Sequence, residues 1–250
     1  MSGWLAALGW GLLAGSALLV GAGVGYVVPL SQRIVSSVMA LGAGVLVSAL
    51  SFDLMEEAAK RGGLRATSIG FLAGAVVYSL ANFALAQLGA RHRKRSGDQQ
   101  ASESEQASSG AAIAVGALLD GVPESIVIGV SLLEGKGVSA VAVAAVFLSN
   151  LPEGLSSAAG MKRAGRGPLY VFGVWSAIAL ASGLAAMLGN VGFANASPEV
   201  IAAITAVAAG AILAMLSDTM IPEAFEGSHA LTGLLTAIGF LLAFVLTQLA

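Results

Sequence analysis

Two segments of this chain repeat one arrangement of polar and acidic residues inside apolar sequence. Residues 118–126 read LLDGVPESI and residues 147–155 read FLSNLPEGL. Helix positions four residues apart lie on one face, so Asp120 and Glu124 should project together, as should Ser149 and Glu153. Each proline also frees the carbonyl four residues before it. Both segments therefore supply oxygen ligands that suit a metal cation. The predicted metal ligands are Asp120, Glu124, Ser149, Asn150 and Glu153.

Further carboxylates lie within apolar stretches or near their ends. These predicted ion-pathway residues are Asp53, Glu57, Asp218 and Glu223. All lysines and arginines fall in connectors or at the ends of apolar stretches, so no basic residue is expected to offset the deep acids. An ionised carboxylate at a helix centre in a bilayer costs roughly 2.5–3.5 kcal/mol. We therefore expect protons or a bound metal cation to neutralise these acids. Permanent protonation with hydrogen bonding to a neighbouring helix is the alternative.

Composition indicates a membrane protein. Of 250 residues, 57% are hydrophobic and only 10% are charged, whereas a soluble domain carries roughly 25% charged residues. There is no cysteine, which excludes a thiolate metal site. The apolar stretches predict an all-α integral membrane protein with eight transmembrane helices in a single transport domain, residues 1–250. The stretches are 4–28, 34–55, 67–90, 110–133, 138–161, 169–188, 199–221 and 230–249.

A second repeat relates the two ends of the chain. Residues 44–58 align with residues 210–224, which places Ser51 on Ser217 and Glu57 on Glu223. Spans 1–3 then correspond to spans 6–8, around central spans 4 and 5. Three helices per repeat predict that the two copies are inverted in the bilayer, as in many transporters.

The distribution of basic residues predicts the orientation. With both termini outside, eight of the 12 basic residues lie on the cytoplasmic side, as the positive-inside rule favours. The connector at about 91–109 is polar and rich in small residues, so we expect a disordered cytoplasmic loop. Glycine pairs such as Gly21 and Gly25 have the spacing of closely packed helices. We expect them to pack within one chain.

Together, the 3+2+3 spans, the polar loop after span 3 and the two Pro-Glu motifs resemble the ZIP (Zrt/Irt-like) metal transporters. Asp218 followed by Pro222-Glu223 in span 7 also fits that family's pattern. The resemblance implies transport of a divalent metal ion into the cytoplasm without ATP, a homodimer, and the plasma membrane as location, the inner membrane in a bacterium. The metal ion is the substrate, and no enzymatic activity, organic cofactor or nucleic acid is expected.

The chain departs from the family at the two central-helix histidines. Asp120 and Ser149 stand at those positions, while Glu124 and Glu153 match the family's bridging carboxylates and Asn150 its second-site polar residue. Oxygen ligands suit harder metals than imidazole does. We therefore expect Mn(II) or Fe(II) to be preferred over Zn(II).

Two other functions are compatible with the sequence. The first is an intramembrane protease that uses two of Asp53, Asp120 and Asp218. The second is a sensor or scaffold of similar fold that no longer transports metal. Replacing Glu124 and Glu153 with glutamine should lower metal uptake in a transporter but spare a protease that depends on two aspartates.

Overall fold

The computed structural model describes residues 3–102, 104–106, 109–134 and 140–249, and within these ranges it contains helices and no strands. The α-helices are α1 (Gly3–Val27), α2 (Gln32–Ala49), α3 (Glu56–Leu85), α4 (Ser109–Ser131), α5 (Ala140–Arg163), α6 (Pro168–Gly192), α7 (Pro198–Met215), α8 (Ile221–Ser228) and α9 (Thr232–Leu249). Wider π-helical turns occupy Leu50–Met55, Ala86–Ala90 and Leu216–Met220, and short 3₁₀ turns occupy Leu132–Glu134 and His229–Leu231. The all-α prediction is confirmed.

Five continuous helical segments of the described chain are long and apolar enough to cross a bilayer. They are Gly3–Val27, Gln32–Ala90, Ser109–Ser131, Pro168–Gly192 and Pro198–Leu249. Two of them are far longer than the ~20 residues that one crossing needs. The segment Gln32–Ala90 is interrupted at Gly63, where φ is 70°, and the segment Pro198–Leu249 is interrupted at His229, where φ is 39°. Apolar helices of membrane-spanning length are therefore present, as predicted, in these five segments of the described chain.

The helices pack in distinct pairs. Helix α1 lies against α5 and α6, and α4 lies against α6; α2 packs against α9 and α8, and α3 packs against α7. Glycines allow the close approach: a Cβ at Gly21 or Gly25 would overlap the backbone of α5, and one at Gly74 would overlap the carbonyl oxygen of Val207. These glycines pack helices within the chain, as small residues do in membrane bundles.

The outer surface is strongly apolar. Helix α3 exposes Leu72, Val76, Leu80 and Phe83, each by more than half of its surface. In a soluble protein such a face would be an aggregation hazard, but in a bilayer it contacts lipid. Polar side chains are gathered inside the bundle instead.

The connector after α3 differs from the expected disordered loop. The chain turns at Gly89, where φ is 99°, and residues 91–101 then fold back into the helix bundle. Arg93, Lys94, Ser96 and Gln100 are each at most 4% exposed. We call residues 91–101 the inserted segment. Residues 103, 107 and 108 of the predicted loop lie outside the described residues.

Candidate functional site

The two Pro-Glu motifs form the middle of α4 and α5, with Pro123 and Pro152 inside the helices. Their three carboxylates are almost fully buried: Asp120 is 1% exposed, Glu124 is 2% exposed and Glu153 is 5% exposed. The helical spacing thus places all three acids on the inner side of the bundle, as the sequence predicts.

The ammonium of Lys94 lies between the two helices. Its Nζ is 3.3 Å from Oδ2 of Asp120 on α4 and forms an ion pair with Oε1 of Glu153 on α5. Glu124 lies close enough for its charge to act on Lys94. One cationic group of the inserted segment therefore occupies the position towards which the acidic motifs converge.

Asp120 also binds Arg93. The guanidinium donates from Nε to Oδ2 at 2.9 Å and from Nη2 to Oδ1 at 2.8 Å. The hydroxyl of Tyr78 on α3 donates to Oδ1 at 2.5 Å, and Arg93 donates to the Asn82 side chain at 2.7 Å. Bidentate pairing with arginine is among the strongest hydrogen-bonded arrangements available to a carboxylate.

These contacts correct one expectation. The prediction that no basic residue offsets the deep acids is wrong for Asp120 and Glu153, which are paired with Arg93 and Lys94. The physical reason is that a connector can enter the bundle when the charges it carries meet buried partners. The loss of hydration is then offset by strong ion pairs in a medium of low polarity. The charge pairing also explains why the connector is not a free loop.

Glu124 is the least satisfied member of the cluster. Its Oε2 is buried and has no hydrogen-bond partner in the described part of the chain. Glu124 and Asp53 line the same narrow cavity, whose other walls are apolar side chains of α2, α4, α5 and α7. Oδ2 of Asp53 is likewise buried without a partner among those residues. Two acids predicted separately as ligand and pathway residue therefore share one cavity.

Ser149 and Asn150 are buried, but their side chains bond to backbone. The Ser149 hydroxyl donates to the carbonyl of Val146 at 2.9 Å, within its own helix. The Asn150 amide donates to the carbonyl of Ala14 on α1 at 3.0 Å. Of the five predicted ligands, the structure thus pairs Asp120 and Glu153 with Lys94 and buries Glu124 one turn from Asp120. Asn150 holds α5 against α1.

The other pathway residues lie in different surroundings. Glu57 forms an ion pair with Arg61 one turn along its own helix. Asp218 is exposed, accepts a hydrogen bond from Asn82 at 3.1 Å, and lines a second cavity together with Lys94 and His92. Burial lowers the pKa of His92 below its ordinary value, and the charges of Arg95 and Arg91 lower it further. Of the three candidate protease aspartates, Asp53 and Asp218 line different cavities and Asp120 is paired with Arg93.

Glu223 anchors the inserted segment. It is 0% exposed, and its Oε1 accepts from the backbone N–H of Ser96 at 3.0 Å and from the hydroxyl of Ser156 at 3.0 Å. Arg95 lies 3.7 Å from Oε2. Gln100 adds a second anchor by donating to the carbonyls of Arg93, Arg95 and Ser157 at 2.9–3.1 Å. The segment is therefore tied to both α8 and α5.

Sequence reasoning missed the residues that complete the site. They are Tyr78, Arg93, Lys94, Ser96 and Gln100. The available signal was the basic run RHRKR, residues 91–95, directly after an apolar helix. Such runs usually remain in solvent, so the run gave no indication of its burial.

Within the described ranges, no three His, Cys, Asp or Glu side chains are arranged to hold a metal ion. The carboxylates are instead held by cations of the protein. Comparison of the chain with protein-family models and with curated proteins finds no match.

Proposed function

We propose that this protein transports divalent metal cations across a membrane, through the site formed by Asp120, Glu124 and Glu153. One observation carries the proposal: buried carboxylates from two helices converge on a single position that holds a cationic group. Carboxylate oxygens are the ligands that hard divalent cations prefer. A position that stabilises an ammonium is therefore chemically suited to a metal ion once that ammonium is removed.

The charge balance supports a cation path over a purely structural core. Three buried acids face two buried bases, so the cluster has one acid more than it has bases. Glu124, whose Oε2 has no hydrogen-bond partner among the described residues, lines the cavity that it shares with Asp53, and Lys94 lines the separate cavity at Asp218. Two separate cavities thus adjoin the cluster.

The proposed architecture is eight crossings arranged as 3+2+3 inverted repeats. The helix pairs support it. Exchanging the first three spans with the last three, and α4 with α5, converts α2 against α9 into α7 against α3, and α1 against α5 into α6 against α4. The π-helical turns Leu50–Met55 and Leu216–Met220 also fall at equivalent positions of the two repeats. Irregular turns in such helices commonly occur at functional sites.

The proposed orientation places both termini outside. The contact of Ser96 with Glu223 fits eight crossings, because the connector after α3 and α8 then lie on the same side of the membrane. The excess of basic residues makes that side the cytoplasmic one. As a relative of the ZIP transporters, the protein would bring metal into the cytoplasm and form a homodimer in the plasma membrane. The oxygen-rich donor set favours Mn(II) or Fe(II) over Zn(II).

Flux measurements in proteoliposomes test the proposal. Mn(II) uptake should fall by about tenfold or more in Glu124→Gln and in Glu153→Gln, because the metal loses an anionic ligand. Glu199→Gln is the matched control, since Glu199 is exposed in the first turn of α7, away from the cluster. The proposal is wrong if the wild type transports no divalent cation. Binding of metal without flux would instead favour the sensor.

Competition between metals tests the choice of substrate. Mn(II) uptake should be inhibited more strongly by Fe(II) than by equal Zn(II), since the three acidic ligands offer oxygen and no imidazole. Transport of Zn(II) far in excess of Mn(II) and Fe(II) would show that the absence of the histidines does not set the metal preference.

A further inference from the structure

Lys94 occupies the position that a transported cation needs. It is 4% exposed, and its ammonium pairs with Asp120 on α4 and with Glu153 on α5. A metal ion bridging these two helices would have to approach the same carboxylate oxygens. The ammonium and a metal ion are therefore mutually exclusive at this position.

Arg93 and Lys94 are held differently, although they are neighbours in the chain. Arg93 bonds Asp120 through two nitrogens and also bonds Tyr78 and Asn82 on α3. Lys94 has ion pairs with two acids, and its Nζ lacks a well-formed hydrogen bond to any other described residue. The fixed fork of arginine suits a permanent structural pair, whereas the point charge of lysine on a flexible stem is easier to replace.

Charge counting indicates which ion could replace it. When Asp120, Glu124 and Glu153 are all ionised, Arg93 and Lys94 leave the cluster with a net charge of −1. If Lys94 leaves and one divalent cation enters, the net charge becomes zero while Arg93 stays in place. A monovalent ion would leave the charge unchanged and so would gain nothing electrostatically over the ammonium already present.

We propose that Lys94 is a tethered counter-cation, which holds the site between metal ions and is exchanged for one divalent cation when residues 94–101 of the inserted segment withdraw and Arg93 stays on Asp120. This inference rests on the proposed function and adds a residue that selects for charge. The contacts that must open for this movement, those of Ser96 with Glu223 and of Gln100 with Ser157, lie outside the cluster itself. Exchange also avoids an empty site with uncompensated buried carboxylates.

Metal binding to purified full-length protein in detergent tests the exchange. Mn(II) should bind Lys94→Gln about tenfold more tightly than the wild type, because the competing ammonium is gone and the fraction of open sites rises. Arg33→Gln removes the same charge from an exposed position in the first turn of α2 and should bind Mn(II) like the wild type. Equal affinity in Lys94→Gln and the wild type would overturn the proposal.

Cysteine labelling gives a second readout that leaves Lys94 intact. The chain has no cysteine, so Ser157→Cys introduces a single thiol that is 2% exposed beneath the inserted segment. Mn(II) should raise its maleimide labelling several-fold, and this increase should disappear when Glu153→Gln is added. Ser104→Cys, at an exposed position, should label equally with and without the metal. Unchanged labelling of Ser157→Cys in saturating Mn(II) would also overturn the exchange.

The two hypotheses fail in different ways. If the wild type carries Mn(II) flux but Lys94→Gln binds no more tightly, transport stands and the tethered counter-cation is wrong. If neither protein binds nor transports a divalent cation, both are wrong and the cluster is a structural ion-pair network.

Discussion

At the scale of single residues, Asp120 is the carboxylate on which the buried charges depend. Arg93 and Lys94 both pair with it, and Tyr78 donates to it. Such a network adds little to the net free energy of unfolding, but removing one partner is costly because it leaves a buried charge unpaired. Substitution of Asp120 therefore tests the network directly.

Asp120→Asn should lower the free energy of unfolding by about 3–5 kcal/mol, because the Arg93 charge is left buried and unpaired. Thermal or denaturant unfolding in detergent measures the change. Asp98→Asn is the control, as the Asp98 side chain is 88% exposed and pairs loosely with Arg163, so a loss under about 1 kcal/mol is expected. Replacing Arg93 as well, in Asp120→Asn/Arg93→Met, should recover part of the loss. If the losses of unfolding free energy from the two single substitutions simply add in the double variant, Asp120 and Arg93 are not coupled.

At the scale of helices, glycine determines how closely the elements approach. Gly44 on α2 and Gly210 on α7 are aligned by the sequence repeat, and a Cβ at either would overlap a backbone carbonyl of the partner helix. The carbonyl oxygens are those of Thr236 on α9 and Phe71 on α3. The two contacts are thus equivalent parts of the proposed repeats.

Gly44→Ala and Gly210→Ala should each lower the free energy of unfolding, by a similar amount of about 1–3 kcal/mol, because the helices must separate. Gly173→Ala on α6 is the control, since no atom lies within 4 Å of its added Cβ. The control should be neutral or slightly stabilising, as alanine favours helix more than glycine. A large loss of unfolding free energy in only one of the two variants, Gly44→Ala or Gly210→Ala, would argue against equivalent packing.

At the scale of the whole molecule, the inserted segment links the two halves. It follows α3 and binds Asp120 on α4, Glu153 on α5 and Glu223 on α8. The connector that the sequence predicts to be a disordered loop is thus the element that holds the central helices α4 and α5 to α8. Its location also sets which surface must face the cytoplasm in the proposed orientation.

Single cysteines test that orientation in intact cells. Asn195→Cys, exposed between α6 and α7, should react with an impermeant maleimide from outside, whereas Ser104→Cys should react only after permeabilisation. The expected difference follows from the excess of basic residues beside the connector after α3. Labelling of both from outside would exclude the eight-crossing arrangement with outside termini.

The sequence by itself determined the all-helical class, the presence of apolar helices long enough to cross a membrane, and the acidic residues of the candidate site. Apolar stretches of ~20 residues leave the backbone few alternatives to helix in a bilayer, and the four-residue spacing of Asp120 and Glu124 places both on one face. These features are local, so they can be inferred from neighbouring residues along the chain.

Only the tertiary structure decided what neutralises the acids. Lys94 is 26 positions before Asp120 and 59 before Glu153, and no local pattern indicates that they meet. A basic run is normally best solvated outside a membrane, and only partners from several helices make its burial favourable. The same long-range packing directs Asn150 to α1 and leaves one oxygen atom of Glu124 without a partner among the residues that the structure describes. Burial and pairing depend on the whole bundle, which spacing along the chain does not specify.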